Sequence, residues 1–151
     1  MKALLLVSSL ALCAGFASAE DIAMREHAGL RFACGGAGVE ERTALAALRP
    51  RANLELLFVT AKRGGYLADV EVTVFAADKA SPVLQVTAQG PMCMISAPAA
   101  KYRIEATYGG VKRSAQVAAA DKPAQVVFRF PEPPWDGTRA TDEERRSSRG
   151  Q

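Results

Sequence analysis

Across residues 53–130 the chain alternates apolar and polar side chains with a period of two, and turn residues cut the alternation at short intervals. Successive side chains of a strand point to opposite faces, so this pattern buries one face of each segment and does not suit a helix. Leu67-Ala68-Asp69-Val70-Glu71-Val72-Thr73-Val74 puts Val70, Val72 and Val74 on one side. Residues 101–108 repeat the arrangement, with Tyr102, Ile104 and Ala106 inward and charged residues outward. Leu54, Leu56 and Phe58 alternate only in part with Glu55, because Leu57 and Val59 make that segment apolar on both sides. Residues 83–88, 92–96, 111–118 and 125–130 complete seven strand candidates. Between them lie Lys62-Arg63-Gly64-Gly65, residues 78–82, Gln89-Gly90-Pro91, Gly109-Gly110 and Asp121-Lys122-Pro123. Gly109-Gly110, set between two β-patterned runs, has the spacing of a tight hairpin. Turn signals roughly every 8–12 residues predict a mainly β, seven-stranded Ig-like sandwich, not βαβ units. The predicted inward set is Leu56, Phe58, Val70, Val72, Val74, Leu84, Val86, Tyr102, Ile104, Ala106, Val117, Val126 and Phe128.

Upstream, the period lengthens. Gly38 is followed by Val39-Glu40-Glu41-Arg42-Thr43-Ala44-Leu45-Ala46-Ala47-Leu48-Arg49-Pro50, which reads as one short amino-terminal helix. Val39, Ala44, Leu45 and Leu48 share a face, Glu40 and Glu41 sit at the positive end of its dipole, and Pro50 stops it. The glycine-rich approach, Gly35-Gly36-Ala37-Gly38, lacks the Gly-Lys-Ser/Thr ending of a phosphate loop, and the two glutamates would repel a phosphate. It reads as a flexible lead into the helix. Residues 20–37 show no clear period and are expected to form an irregular lead-in, so the helix-plus-sandwich domain is placed at 38–130.

The first 19 residues have the anatomy of a secretory signal: Lys2, an apolar stretch over residues 3–16, then Ala17-Ser18-Ala19. The stretch is shorter than the roughly 20 apolar residues of a permanent span. Cleavage is expected after Ala19, which implies a periplasmic protein with no transmembrane segment. Leu12 before Cys13 is not the small residue that a lipoprotein signal wants. Removal of the leader takes Lys2 from a total of 19 basic residues against 16 acidic ones, leaving a nearly neutral chain with no basic stripe for nucleic acid. Cys34 and Cys93 remain as an even pair in an exported chain and are expected to form one disulfide. Residues 131–151 are rich in proline and then in charge, and read as a disordered polar tail. Trp135 asks for a separate explanation there: it folds back on the sandwich or anchors a partner.

The hairpin Ala99-Ala100-Lys101-Tyr102-Arg103-Ile104-Glu105-Ala106-Thr107-Tyr108-Gly109-Gly110, with Pro98 before it, follows a Pro-x-Gly-x-Tyr-x-Val-x-Ala-x-Tyr-x-Gly pattern. On these residues the segment 53–130 resembles the carboxypeptidase regulatory-like, transthyretin-like family of small β-sandwiches. The likeness is closer to stand-alone exported forms in proteobacteria. Those show Gly-Gly-x-Gly-x-Glu-Glu-Arg, Asn-Leu-x-Leu-x-Phe and Tyr-Leu-Ala-Asp-Val-x-Val, which stand here at 35–42, 53–58 and 66–72. Ala100 departs from the pattern's glycine, and alanine resists positive φ; Gln89 replaces a frequent aspartate. The resemblance implies a transthyretin-like sandwich and carries over no catalytic residues.

Peptidase chemistry does not follow from it. A zinc peptidase needs two or three histidine or carboxylate ligands and a carboxylate base, whereas the sequence holds one histidine, His27, beside Glu26. A Gly-x-Ser-x-Gly motif is missing, and Glu40-Glu41 and Glu143-Glu144 lie at a helix start and in the tail. The expectation is a non-enzymatic periplasmic interaction module without cofactor or metal, whose partner is another envelope protein. The alternatives are a structural envelope protein without a specific ligand and, ranked lower, a small-molecule carrier.

Overall fold

The computed structural model describes residues 22–133. The predicted signal segment with Cys13, and the tail from residue 134 with Trp135, lie outside the described residues. Within them are β1 (Arg25–His27), β2 (Leu30–Gly35), α1 (Val39–Ala46), β3 (Leu54–Thr60), β4 (Val70–Ala76), β5 (Leu84–Ala88), β6 (Met92–Ser96), β7 (Ala100–Tyr108), β8 (Val111–Ala119) and β9 (Ala124–Phe130). They form a five-stranded sheet, β1-β2-β6-β3-β9, and a four-stranded sheet, β5-β4-β7-β8. All pairs are antiparallel except β3 with β9, which run parallel from Leu54↔Ala124 to Thr60↔Phe130.

The four-stranded sheet follows the alternation closely. Val70, Val72, Val74, Leu84, Tyr102, Ile104 and Ala106 are buried, while Val86 and Val117 on the flanking strands are half-buried. Gly109 (φ 55) and Gly110 (φ 78) make the tight turn between β7 and β8, a conformation open to glycine at no steric cost. Ala100 opens β7 opposite Ala119 and is not among the residues with positive φ, so alanine suits that position. The Tyr102 hydroxyl donates to the Pro98 carbonyl at 2.9 Å.

Two expectations are corrected. The lead-in is not irregular: β1 and β2 lie within residues 20–37, so the described residues hold nine strands instead of seven, and the folded unit begins before residue 38. The hairpin turns at Ala28 (φ 49) and Gly29 (φ 81), and alanine gives no turn signal because it tolerates that region poorly. Moreover β2 is buried on both faces, Leu30 and Phe32 against the sandwich and Ala33 beneath α1, which erases its alternation. The second correction concerns α1. It ends at Ala46, a 3-10 turn over Arg49–Arg51 accommodates Pro50, and Val39 does not share the buried face of Leu45 and Leu48.

Cys34 and Cys93 are joined by a disulfide, with Cα atoms 4.1 Å apart, directly opposite each other in the register of β2 and β6. Beside them the glycines have a packing role. A Cβ on Gly90 would collide with the backbone of Gly35 and Gly36, so the turn before β6 can reach β2 only as glycine. Asn53 links the same sheet to the next loop. Its amide nitrogen donates to the Ala97 carbonyl at 2.8 Å, and its amide oxygen accepts from the Ala97 N–H at 2.9 Å. The main core fills the space between the sheets, with Phe58 and Phe128 stacked at 5.9 Å. A smaller core of Leu45, Leu48, Met92 and Met94 lies between α1 and the outer face of the five-stranded sheet. Among the described residues no helix is long and apolar enough to cross a membrane.

Candidate functional site

The helix covers only part of that outer face. Because β3 is apolar on both sides, Leu57 and Val59 point away from the main core, and Leu57 pairs in register with Val127 of β9. Val59 pairs across an isolated bridge with Tyr66. Among the described residues the exposed large apolar side chains are Val39 at 65 %, Tyr66 at 60 % and Val127 at 37 % exposure. Val39 and Tyr66 line a shallow groove of about 400 Å³ together with Arg42, Leu57, Met92 and Gln125. Val127 extends this lining beside Leu57. Large apolar groups kept together, where scattered single ones are ordinary, make this face the candidate contact surface.

The groove is held open by local chemistry. The Glu41 carboxylate accepts from the Ala37 N–H at 2.9 Å, bending the glycine-rich approach back onto α1. Arg42 Nη1 donates to the carbonyls of Gly36 (3.0 Å) and Ala37 (3.2 Å), and its guanidinium lies 5.4 Å from the centroid of the Tyr66 ring. That cation–π contact ties the helix to the Tyr66 loop and presents Tyr66 as a fixed aromatic shelf. At the opposite end, Arg49 grips Glu55 with two hydrogen bonds of 3.1 and 3.0 Å. This hydrogen-bonded carboxylate and its charge raise the Arg49 pKa above its ordinary value.

The charge of the surface is uneven. Among the described residues the ion pairs are Arg49–Glu55, Arg103–Glu105 and Lys112–Glu105. Arg42 and Arg129, two residues along β9 from Val127 and on the same face, therefore have no carboxylate partner among them. In the groove the Thr43 hydroxyl is engaged with the Val39 carbonyl at 2.9 Å. What remains for a ligand is apolar contact, an aromatic face and positive charge. A second depression, of about 360 Å³, lies at the far end of the four-stranded sheet beside Tyr102, Lys79 and Lys101. Burial, and then Asp78, hold the Tyr102 hydroxyl above its usual pKa, and Arg103 there is taken by Glu105 and the Phe75 ring.

The residues singled out from sequence fall in different places. Cys34 and Cys93 face the main core as a bonded pair, away from the groove. Trp135 lies outside the described residues. His27 is exposed on β1. Among the described residues no three His, Cys, Asp or Glu side chains gather as a metal-binding group. Val39 was expected in the buried helix face and instead lines the groove. Sequence reasoning passed over Tyr66 and Val127, although the double-sided apolarity of residues 54–59 was the signal that this sheet needs cover on both faces. No known family model matches the chain, and no curated protein matches it.

Proposed function

We propose that this chain is a non-catalytic periplasmic interaction module of the carboxypeptidase regulatory-like, transthyretin-like type, and that its docking surface is the outer face of the five-stranded sheet. The observation that carries this reading is a groove lined by the exposed Val39 and Tyr66, with exposed Val127 beside its Leu57 wall and Arg42 without a carboxylate partner among the described residues. The three sequence motifs behind the family resemblance support it, since segments 35–42, 53–58 and 66–72 all contribute to the groove or its walls. The partner that fits is an extended protein segment with an aromatic or large aliphatic side chain next to a carboxylate. The apolar anchor fills the space over Leu57 and Tyr66, and the acid meets Arg42 or Arg129. Buried anchors of this kind dominate interface energies, while rim charges contribute mainly to rate and orientation.

The test is capture from envelope extract with the protein and its Val39→Asp/Val127→Asp variant. Both positions are exposed, so the fold is retained. A stoichiometric partner held by the protein and bound at least about tenfold more weakly by the variant is expected, from the loss of about 1.4 kcal/mol or more of apolar contact. A partner retained equally by both would place the docking surface elsewhere.

A further inference from the structure

The register of β9 decides which of its backbone groups are used. Ala124 N–H donates to the Asn53 carbonyl at 2.9 Å, and the Phe130 carbonyl accepts from Ala61 N–H at 2.8 Å, so both residues turn their backbone toward β3. Backbone groups alternate sides along a paired strand, and the parallel register runs unbroken from Leu54↔Ala124 to Thr60↔Phe130. Gln125, Val127 and Arg129 therefore point their N–H and C=O groups away from β3, where β9 ends the five-stranded sheet. Of these groups the Arg129 carbonyl is taken, by Arg113 Nε of β8 at 3.2 Å. The others have no partner among the described residues.

Edge strands are ordinarily blunted by shortness, lysine, proline or a bulge. β1 has three residues and β5 five, and the exposed side chains of the longer β8 are Lys112, Arg113, Ser114, Gln116 and Ala118, polar or small. β9 has seven residues, none of them lysine or proline, with exposed Val127 at the middle of its open edge. That edge adjoins the groove, which Gln125 and Leu57 line. Its flank is basic. Arg129 and Arg113 belong to none of the ion pairs among the described residues. A second copy would bring the same uncompensated arginines to the contact, whereas an acidic strand neutralises them.

We propose that β9 is a site of strand addition, where an extended acidic segment of the partner pairs with Gln125, Val127 and Arg129 and prolongs the five-stranded sheet. A central apolar side chain of that segment lies against Val127 on the outer face, and flanking carboxylates meet Arg129 and Arg113. This rests on the outer face of that sheet being the docking surface and adds how the partner is held. Main-chain bonds give affinity, and alternate side chains give specificity.

Residue-resolved amide exchange reads the register directly. The probe is the capped peptide Thr-Glu-Thr-Phe-Thr-Glu-Thr, whose Phe and Glu share one face, set against its counterpart with Lys for Glu. In the free protein the amides of Gln125, Val127 and Arg129 should exchange fast, and those of Val126 and Phe128 slowly. The acidic peptide should slow the first three at least about tenfold and leave the other two unchanged. The lysine peptide should bind at least about tenfold more weakly. Val127→Pro removes one outward N–H, keeps the donors that face β3, and should abolish binding. Val127→Thr keeps the ladder and should bind nearly as the parent does, while Arg129→Glu should reverse the preference between the peptides. Far-UV circular dichroism and protected Val126 and Phe128 amides check each fold. Should proline disturb it, the Arg129→Glu reversal and the exchange pattern of the parent protein decide. Amides of Gln125, Val127 and Arg129 already protected in the free protein overturn the inference, and loss of that protection on dilution assigns the edge to a second copy. Failure of the acidic peptide to slow them overturns it too, as does binding that Val127→Pro leaves intact or that Val127→Thr abolishes equally. Peptide binding weakened by Val39→Asp with the three amides still open defeats only strand addition. Slowing of the three amides, with an envelope partner held equally by Val39→Asp/Val127→Asp, defeats only the docking reading.

Discussion

The outward faces of the two sheets differ in kind. The four-stranded sheet turns Glu71, Thr73, Gln85, Thr87, Lys101, Arg103 and Glu105 outward, and its large apolar side chains point to the main core except Phe75, whose ring lies under the Arg103 guanidinium. The five-stranded sheet turns Ala33, Leu57, Met92, Met94 and Val127 outward, so apolar side chains stand on both of its faces. A sheet with one apolar face is completed by a single partner layer, and the opposite sheet supplies it. A sheet with two apolar faces needs a second cover. Here α1 covers the part over Ala33, Met92 and Met94, Leu57 packs half-buried against the edge of that cover, and Val127 stands outside it. The proposed docking surface is the uncovered remainder, and stability comes from the shared core.

The sheets also differ in how far along the chain their pairings reach. β7 and β8 are joined by a two-glycine turn, whereas β2 meets β6 across the 59 residues that separate Cys34 from Cys93, and β3 meets β9 from Leu54↔Ala124 onward. Local hairpins close cheaply; long loops cost more entropy before their contacts form. The disulfide meets that cost at the β2–β6 pairing, one of the two long-range ones. Replacing both cysteines by alanine is expected to lower stability by about 4 kcal/mol on the chain-entropy relation for a loop of this length. Amide exchange should accelerate more in β2 and β6 than in β7 and β8. Equal acceleration in both sheets would mean that they open as one unit and that the contrast in their assembly has no energetic counterpart.

A smaller effect is expected from the other side of the core. Ile104 of β7 is fully buried and pairs with Val74 and Ala115 in register. Ile104→Ala removes most of a buried side chain and leaves a cavity, at a cost of about 3 kcal/mol, which a denaturant melt measures. A silent substitution would mean that the strand is shifted by one residue and that its inward and outward faces are exchanged.

Legibility from sequence divides along the same line. β4 and β7 could be read residue by residue, since one wet face and one dry face write themselves as alternation, and Gly109-Gly110 declares its turn. The predicted inward residues of β4 and β7 are all buried. β2 was hidden because Leu30-Arg31-Phe32 alternates only briefly before both faces are buried, and because its hairpin turns on Ala28, a residue that seldom accepts positive φ. The parallel partnership of β3 and β9 leaves no local trace, as it depends on residues 70 positions apart, Leu54 and Ala124 among them. The groove was legible in one respect, the double-sided β3. It was misleading in another: helical periodicity put Val39 on the covered face, while the glycine approach, clamped by Glu41 and Arg42, turns the first residue of α1 outward.

The smallest effect concerns Glu132, the carboxylate that ties the end of the described residues to the turn after β3. The Arg63 N–H above all holds the Glu132 carboxylate below its ordinary pKa of 4.5; burial opposes it, and the Thr60 hydroxyl and the Lys62 N–H add smaller lowering effects. A carboxyl whose pKa is depressed by folding contributes stability above its unfolded value and loses it as pH falls through the folded one. The contribution of Glu132 is therefore complete at neutral pH, begins to fade near pH 4.5 and is gone once the folded carboxyl is protonated. Because the residue is only half-buried at the surface, its effect on global melting is small. Glu132→Gln keeps the shape and an acceptor oxygen but removes the charge. Its midpoint should lie slightly below that of the parent protein at pH 7, and the two should converge in acid. Acidification that speeds amide exchange at Lys62 and Arg63 while β7 and β8 stay protected would sharpen the division between an edge of the five-stranded sheet that loosens and a core that persists. A difference between Glu132→Gln and the parent protein that survives unchanged below the folded pKa would assign the effect to the amide's packing and leave the charged anchor without a role.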